Sequence, residues 1–468
     1  MTMKKAAFIL ILLLTALLRP ALADTQEMFL KKQALTHAHR EMFATGDFAK
    51  LDQSLNRIQQ EYEAGKWKDT DLNFIFYEPL QATDPAFETL YNKWVAAYPK
   101  SYAANYCRGK YFYNRALELL EAARKSVRIT AISHLPRELA PQMKQLVALA
   151  VRDETAAAEL AAKPLTAYAD LVDLHTFFMA QPVNGRKILD MANKIAPGNT
   201  LARYRYMSAI NAAGANLATL KELVDDARKN GAGGDDKDNA IFQFYDVRLL
   251  IEGRYDLLDR EMNGYQQAYE KGQINDVTLS GYFEAISAAN PDNAEKYNAW
   301  IKAYPRSYAA RQARAKYSLN TAWLARGDDV SSKMTPQEVE GLHLYLKQAG
   351  DDAKAAASMT AKPIQSYDVT HSIATLGGSR ETGETMLRLA NTIDPQNSTV
   401  RLSHMFALQS RWGGSLEKME NFLTQAKAVG IDEDILRHLG RMVVEEKYWL
   451  AAHAEKEYPH LGEMVTGF

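Results

Sequence analysis

The feature that most constrains the fold of this chain is an internal duplication. Four segments of the first half return in the second half, in the same order and with similar sequences. The distance between copies falls from 207 residues (46 to 253) to 198 residues (195 to 393), so the second copy has lost a few residues. Long-range self-similarity of this kind is typical of repeat architectures. The matched segments are 46–52 with 253–259, 91–104 with 297–310, 162–164 with 361–363, and 195–199 with 393–397.

The first 23 residues have the pattern of a secretory signal peptide. Lys4 and Lys5 form a positive n-region, residues 6–18 are apolar, and a small-x-small cleavage site ends at Ala23. The apolar run is shorter than the roughly 18 to 20 residues that span a bilayer, which favours cleavage over an uncleaved anchor. We therefore expect cleavage after Ala23, a periplasmic or secreted mature protein, and no membrane insertion of the mature chain.

Composition narrows the classes of partner. The chain has 56 Lys and Arg against 57 Asp and Glu, a net charge of −1, and it has no basic block. Nucleic acid is therefore not an expected partner, because affinity for nucleic acid comes largely from clustered positive charge. Cys107 is the only cysteine, so no internal disulfide is possible and stability must come from a buried core. For Cys107 we favour a buried, inert thiol.

The spacing of apolar residues predicts an all-α protein. In the segment 87–98 they recur three and four residues apart, which places them on one face of a helix. Strand patterns, such as alternating β-branched residues, are nearly absent. Asp84 and Asn290, each followed by a proline, predict the starts of equivalent helices. Ser101 and Ser307 predict the caps of the helices that come next.

Later in each copy the sequence predicts another pair of helices joined by a turn. Apolar and small residues at helical spacing lead to a Pro-x-Asn turn at 197–199 and again at 395–397. This arrangement is similar to the tetratricopeptide repeat, although the strict ~34-residue consensus is not sustained. We therefore predict a tandem duplication of a tetratricopeptide-like helical-repeat domain, with an α-solenoid-like architecture.

The two copies meet in a Gly-rich stretch, 230–238, which predicts the domain boundary. This stretch lacks the Gly-Lys-Ser/Thr ending of a phosphate-binding loop. Near the C-terminus, 444–448 resembles 251–255, as though a third unit had begun. A truncated terminal unit covers the apolar end of a solenoid, which predicts a helical cap. After the signal peptide, the expected domains are helical-repeat domain 1 at 24–232, helical-repeat domain 2 at 239–432 and the cap at 433–468.

Several motifs recur or stand out in the two copies. They are Tyr-Pro-x-Ser-Tyr-Ala-Ala at 98–104 and 304–310, Arg-x-Lys-Tyr at 108–111 and 314–317, Trp-Leu-Ala-Arg-Gly at 323–327, and Arg-Trp-Gly-Gly-Ser at 411–415. Together they resemble an uncharacterised bacterial family of tetratricopeptide-like proteins with signal peptides, known as a domain of unknown function. The first copy departs from the pattern, with Leu117 opposite Trp323 and Ala213 opposite Trp412. The resemblance implies a helical-repeat fold and leaves the activity open.

Five residues are candidate contacts with a partner: Tyr102, Arg108, Tyr308, Arg314 and Trp412. In one interpretation the arginines and tyrosines face a groove as donors and stacking surfaces. In the other, each arginine pairs with a carboxylate between packed helices while its stem covers apolar surface. Recurrence in both copies favours this packing interpretation, because shared architecture requires shared packing. Trp412 either covers a ligand or, as we favour, packs in a tight turn between helices.

No motif in the sequence indicates catalysis or metal binding. His37 and His39 do not share a helix face, and neither a His-Glu-x-x-His pattern nor a nucleophile elbow is present. We therefore expect no cofactor and no metal. The leading prediction is an exported, periplasmic interaction protein or scaffold without catalysis that binds a protein or peptide on the concave surface of a solenoid. The alternatives are a cell-envelope enzyme, such as a peptidoglycan hydrolase or lyase with an acid of raised pKa in a cleft, and a secreted effector-associated or immunity protein.

Overall fold

The described part of the chain consists of helices joined by turns and loops. The computed structural model describes residues 34–67, 72, 75–76, 83–126, 135–232, 239–326, 335–377 and 379–457, with side chains as far as residue 451. Within these ranges no strand is present, which confirms the all-α prediction. The signal peptide and its cleavage site, most of the Gly-rich stretch and the last residues of the expected cap lie outside the described residues.

The first unit, as far as it is described, consists of helices α1 to α9. A 3₁₀ turn precedes α3, and a π-helical turn extends α6. The most extensive helix packing in this unit joins α4 to α5. The helices are α1 (34–45), α2 (Phe48–Glu63), α3 (Glu88–Ala97), α4 (Tyr102–Ser126), α5 (Ala140–Leu160), α6 (Leu165–Asp173), α7 (Pro182–Ile195), α8 (Leu201–Ala212) and α9 (Leu217–Lys229).

The second unit, over its described residues, consists of helices α10 to α20. The most extensive packing joins α14 to α15, the counterparts of α4 and α5. A 3₁₀ turn (Ser410–Trp412) lies between α18 and α19. The helices are α10 (Ala240–Ile251), α11 (Tyr255–Glu270), α12 (Asp276–Ile286), α13 (Ala294–Ala303), α14 (Tyr308–Arg326), α15 (Pro336–Ala357), α16 (Ile364–Leu376), α17 (Arg380–Ile393), α18 (Thr399–Ala407), α19 (Leu416–Val429) and α20 (Glu433–Glu457).

The duplication seen in the sequence is also a duplication of structure. Helices with matching sequences have matching lengths: α2 and α11 have 16 residues each, α3 and α13 have 10, and α7 and α17 have 14. The described chain separates into two compact units on either side of the segment 233–238. The predicted fold, a tandem duplication of a helical-repeat domain, is confirmed.

The predicted helix starts are present in both units. Asp84 and Asn290 each accept a hydrogen bond from the backbone N–H two residues later, at 2.8 and 3.1 Å. Ser101 and Ser307 each accept one from the N–H three residues later, at 3.1 Å in both cases. These bonds satisfy backbone donors that have no partner inside the helix.

A polar network joins three helices of the first unit. Asp52 on α2 accepts hydrogen bonds from the indole N–H of Trp94 on α3 (3.0 Å) and from the side-chain amide of Asn56 (3.0 Å). The same amide donates to the hydroxyl of Ser101 at the start of α4 (2.8 Å). The side-chain oxygen of Asn56 accepts the N–H of Ala103 (3.1 Å). One asparagine on α2 therefore fixes where α4 begins.

The second unit contains the same network at equivalent positions. Asp259 on α11 accepts from the indole N–H of Trp300 (2.9 Å) and from the amide of Asn263 (3.1 Å). Asn263 in turn donates to Ser307 (3.1 Å) and accepts from the N–H of Ala309 (3.2 Å). The recurrence of the tryptophan and the serine in the sequence is explained by this shared network.

The recurring Ala-Lys-Pro turn is held by α2 in the first repeat and by α11 in the second. In the first unit Glu63 on α2 accepts the N–H groups of Ala162 (2.9 Å) and Lys163 (3.2 Å). Gln59 donates its amide to the carbonyl of Lys163 (3.2 Å). Helix α11 holds the turn at 361–363 with an equivalent glutamine and glutamate. The end of α5 and the start of α6 are thus fastened to α2.

Replacing Asn263 with alanine should destabilise the second unit by about 1–3 kcal/mol, because Asp259 and the N–H of Ala309 each lose a partner. Urea unfolding followed by far-UV circular dichroism measures the change. Gln267→Ala, an exposed change on the same helix, is the control and should shift stability by less than about 0.5 kcal/mol. Equal effects of the two substitutions would contradict the role given to the network.

Candidate binding groove in the second repeat

The two arginines predicted as candidate contacts lie in ion pairs between helices. Arg108 on α4 binds Asp153 on α5 through Nε (2.6 Å) and Nη2 (2.9 Å). Arg314 on α14 binds Asp352 on α15 with the same two distances. Each aspartate is 1 % exposed, so each needs its arginine to offset the cost of burying a charge. Each arginine therefore pairs with a carboxylate between packed helices, as in the packing interpretation.

The two tyrosines predicted as candidate contacts lie in the cores of their units, each only 4 % exposed. The hydroxyl of Tyr102 is hydrogen-bonded to that of Thr166 (2.8 Å), and its ring stacks on Tyr106. The ring of Tyr308 packs edge-on against Phe283, with centroids 6.0 Å apart. These contacts give both tyrosines a packing role, and their predicted contact with a partner has no support from their position.

Trp412, the fifth candidate, is half-buried and belongs to an aromatic cluster formed by Trp323, Phe406 and Trp412. The ring of Trp323 lies 6.0 Å from that of Phe406 and 5.6 Å from that of Trp412, and the other two rings are 5.6 Å apart. The guanidinium of Arg326 lies 4.8 Å from the Trp412 ring, and that of Arg411 lies 5.6 Å from the Phe406 ring. Both arginines are at distances typical of cation–π contacts.

The aromatic cluster borders a groove of about 300 Å³ among α14, α16, α18 and α20. Its walls combine aromatic and aliphatic side chains with hydroxyl groups and one imidazole. No carboxylate is found among the described residues that line it. A mainly apolar depression with a few polar groups is the usual form of a binding site. The lining residues are Trp323, Ser372, Thr375, Leu402, Ser403, Phe406, His438 and Met442.

The turn after α18 holds Trp412 beside the groove. Gly413 has a φ of 77°, in the left-handed region that favours glycine. A Cβ on Gly414 would lie 1.8 Å from the carbonyl oxygen of Leu408, so a side chain does not fit there. Glu446 on α20 accepts the N–H that opens the turn (2.8 Å). The Trp-Gly-Gly-Ser motif is therefore a tight turn, as the sequence analysis favoured, and the turn places its indole in the aromatic cluster.

Two buried histidines form a pair. Each is adjacent in sequence to a serine that lines the groove. Nε2 of His371 on α16 lies 3.1 Å from Nδ1 of His404 on α18. Burial lowers the pKa of each histidine to about 4, so both imidazoles are neutral at pH 7. His404 also borders a shallow depression of about 430 Å³ whose other lining residues come from α17: Glu384, Leu387, Arg388, Asn391 and Thr392.

The first unit has a buried carboxyl that the second unit lacks. Glu154 on α5 is fully buried, and α4 makes room for it at Gly109, where a Cβ would lie 2.9 Å from the Glu154 side chain. The counterparts in the second unit are Ala315 and Ala353, both fully buried. Burial, with a further contribution from the negative charge of Asp170, raises the pKa of Glu154 well above its usual value of 4.5.

A metal-binding cluster and a membrane-spanning helix are both absent from the described ranges. There, no group of three or more His, Cys, Asp and Glu side chains is placed to hold a metal ion. No helix among the same residues is both long and apolar enough to cross a membrane. Cys107 is buried, as the sequence analysis favoured, and burial raises the pKa of its thiol.

Of the five candidate contacts predicted from the sequence, only Trp412 lies in the groove region. Phe406 and Met442 carry no motif, and they reach the groove only through helix packing. One pattern did point to the site: Trp323 and Trp412 are both absent from the first copy, where Leu117 and Ala213 stand opposite them. These two residues, which differ together between the copies, are in contact in the second unit.

Comparison with protein families agrees with this architecture. The sequence profile of the family described as "Domain of unknown function (DUF4034)" matches residues 36–208 and 244–377, which together make up more than half of the chain. The protein belongs to this family. One DUF4034 match falls on each copy, so the duplicated unit corresponds to the family's domain. The motifs indicated a resemblance to an uncharacterised family, and the DUF4034 match confirms it.

Comparison with individual proteins adds little to the DUF4034 assignment. No curated protein sequence matches the chain. Among solved structures, the "Structure of Naa15/Naa10 bound to HypK-THB" contains a chain with 12 % sequence identity. The similarity covers 84 % of this chain and 67 % of that chain, with a TM-score of 0.22. A TM-score this low does not establish a shared fold.

Replacing Glu154 with glutamine should stabilise the first unit more as the pH rises. In the folded protein the raised pKa keeps Glu154 protonated, whereas the unfolded chain releases this proton as the pH passes 4.5. Stability that is fully present below pH 4.5 is therefore lost between 4.5 and the folded pKa, and glutamine removes this loss. Urea unfolding should show a clear gain in the free energy of unfolding at neutral pH and almost none near pH 4.

The control for this experiment is Glu159→Gln, an exposed change on the same helix. It should alter stability little at either pH. A difference between Glu154→Gln and the unchanged protein that stays constant with pH would show that Glu154 is not held protonated by the fold.

Proposed function

We propose that this protein is an exported, non-catalytic helical-repeat protein that binds a protein partner through the groove of its second repeat. The observation that carries the proposal is the aromatic cluster at the edge of the groove. Tryptophan and arginine are the residues that most often dominate the binding energy of protein interfaces. Trp323, Phe406 and Trp412 offer ring surface, while the hydroxyls of Ser372 and Thr375 supply hydrogen-bonding groups within the same groove.

The charges around the groove favour a partner segment that carries carboxylates. Arg326 and Arg411 lie against the aromatic cluster, and the described lining of the groove contains no Asp or Glu. Complementary charge contributes to the specificity and rate of association more than to its affinity. A partner with acidic residues beside an apolar surface therefore fits this site better than a basic one.

The positions of the perturbed acids favour binding over the alternative of a cell-envelope enzyme. Burial raises the pKa of three described acids, Glu154, Asp173 and Asp276. None of the three lines the groove. Asp173 accepts the hydroxyl of Tyr113 (2.7 Å), and Asp276 accepts two backbone N–H groups at the start of α18 (2.7 Å each). A general acid must reach its substrate, whereas Glu154 is fully buried and Asp173 and Asp276 are hydrogen-bonded within the helical packing.

Export is part of the same proposal and is supported by the signal-peptide pattern of residues 1–23. When the full chain is expressed in a bacterium with two membranes, the protein should appear in the periplasmic fraction, and its intact mass should correspond to a chain that begins at Asp24. Ala23→Lys, which destroys the small-x-small site, should block processing. A processed mass obtained with that variant, or a full-length mass in the membrane fraction of the unchanged protein, would contradict this prediction.

A crosslinked pull-down from the envelope fraction tests the binding function. Trp323→Ala and Trp412→Ala should each lower the yield of a stoichiometric partner, identified by mass spectrometry, by at least about tenfold. Arg411→Glu reverses an exposed charge and should weaken capture of an acidic partner segment, although it also removes the contact of this guanidinium with the Phe406 ring. Trp67→Ala removes a half-buried indole of the first unit and is the matched control.

Circular dichroism should show that each variant keeps its helical content. Undiminished capture of the partner by all the groove variants would refute binding at the groove. Absence of any stoichiometric partner for the folded, abundant protein would refute the binding function itself.

A further inference from the structure

The last described helix, α20, is a third version of a helix that occurs twice before it. In the first two versions, α1 and α10, the chain leaves the helix at a glycine in the left-handed conformation, Gly46 (φ 75°) and Gly253 (φ 67°), and continues into α2 or α11. The segment 444–448 matches 251–255 in sequence. This register places Glu446 of α20 at the position of Gly253.

The structure supports this register. Arg248 and Glu252 form an ion pair four residues apart at the end of α10, and Arg441 and Glu445 form the equivalent pair on α20 (3.9 Å). Glu446 is buried and bonded to the turn that holds Trp412. Because no glycine stands there, α20 does not turn at this point and continues as a single helix. Within the described residues, α20 is therefore not followed by a helix equivalent to α11.

A face that is covered on α10 is open on α20. Tyr245 and Leu249 of α10 are 1 % and 0 % exposed, and α11 and α12 are the helices of the same unit that pack on α10. The same register aligns them with His438 and Met442 of α20. His438 is exposed and Met442 is half-buried, and both line the groove. The groove therefore lies where a complete repeat carries its next helices.

We propose that the groove binds one amphipathic helix of a partner protein, which lies along α20 in the way that α11 lies along α10. This inference rests on the proposed function and specifies the element of the partner that is recognised. The apolar stripe of that helix contacts Trp323, Phe406 and Met442. Carboxylates on its flank face Arg326 and Arg411, which lie at the aromatic end of the site. In this mode of recognition, apolar side chains spaced three and four residues apart on the partner helix bind in the groove.

Helix α11 shows the composition that such a partner helix requires. It carries four acidic residues and one arginine, and its buried residues recur at helical spacing. A peptide with the sequence of α11, Tyr255–Glu270, is therefore the natural probe for the groove. The buried residues of α11 are Leu258, Met262, Gln266 and Tyr269.

The test is fluorescence anisotropy of the labelled α11 peptide titrated with the full-length protein. The peptide should bind, and a peptide with proline in place of Met262 should bind at least about tenfold more weakly, because proline breaks the helix. In the protein, Met442→Ala and Trp323→Ala should each weaken binding at least about tenfold, whereas Trp67→Ala should leave it unchanged. Circular dichroism of each variant shows whether it remains folded.

Three results would overturn the helix proposal: no binding of the α11 peptide, equal binding of the proline peptide, or binding unaffected by Met442→Ala. None of them decides the proposed function, which the pull-down tests separately. A partner captured through Trp323 and Trp412, together with a failed peptide test, would mean that the groove binds protein in another conformation. Failure of both experiments would remove the binding function as well.

Discussion

Both repeats depend on one polar network, in which an aspartate holds an indole and an asparagine ties that aspartate to the start of a third helix. Asp52 and Asn56 make this connection in the first repeat, and Asp259 and Asn263 make it in the second. Apolar packing is non-directional, so by itself it leaves the angle and register of helices loosely defined. Hydrogen bonds are directional, and a donor left unpaired costs about 1–3 kcal/mol. The network therefore selects one arrangement of helices among those that would bury a similar apolar area.

The two repeats share the contacts that build the fold and differ in a buried carboxyl and in a pair of aromatic residues. The shared contacts include the polar network, the arginine–aspartate pairs and the hold on the Ala-Lys-Pro turn. The differences include Glu154, buried against a glycine in the first repeat, and the aromatic pair Trp323 and Trp412 in the second. Recurrence thus identifies packing, as it did for Arg108 and Arg314. Divergence is the better guide to a binding surface in a duplicated chain.

The sequence predicted the parts of the fold that are determined by neighbouring residues. Helix class, the duplication and the caps at Ser101 and Ser307 follow from spacing and capping chemistry within a few positions. The groove could not be predicted in the same way, because Trp323, Phe406 and Met442 lie dozens of residues apart and meet only through packing. Tyrosine has an apolar ring and a polar hydroxyl, so it suits both a core and a binding surface. The sequence around Tyr102 therefore does not show which of the two its ring faces.

The hydrogen bonds to the Ala-Lys-Pro turn should make this junction a poor site for proteolytic cleavage. A protease binds its substrate as an extended strand and needs the backbone N–H and C=O groups of that strand to be available. Ala162 is exposed, yet its N–H is bonded to Glu63, and the turn at 361–363 is held by Glu270 in the same way. Exposed turns are ordinarily the first places to be cut. At both junctions the backbone N–H is already bonded to a glutamate, so it is less available to a protease than the backbone of an ordinary exposed turn.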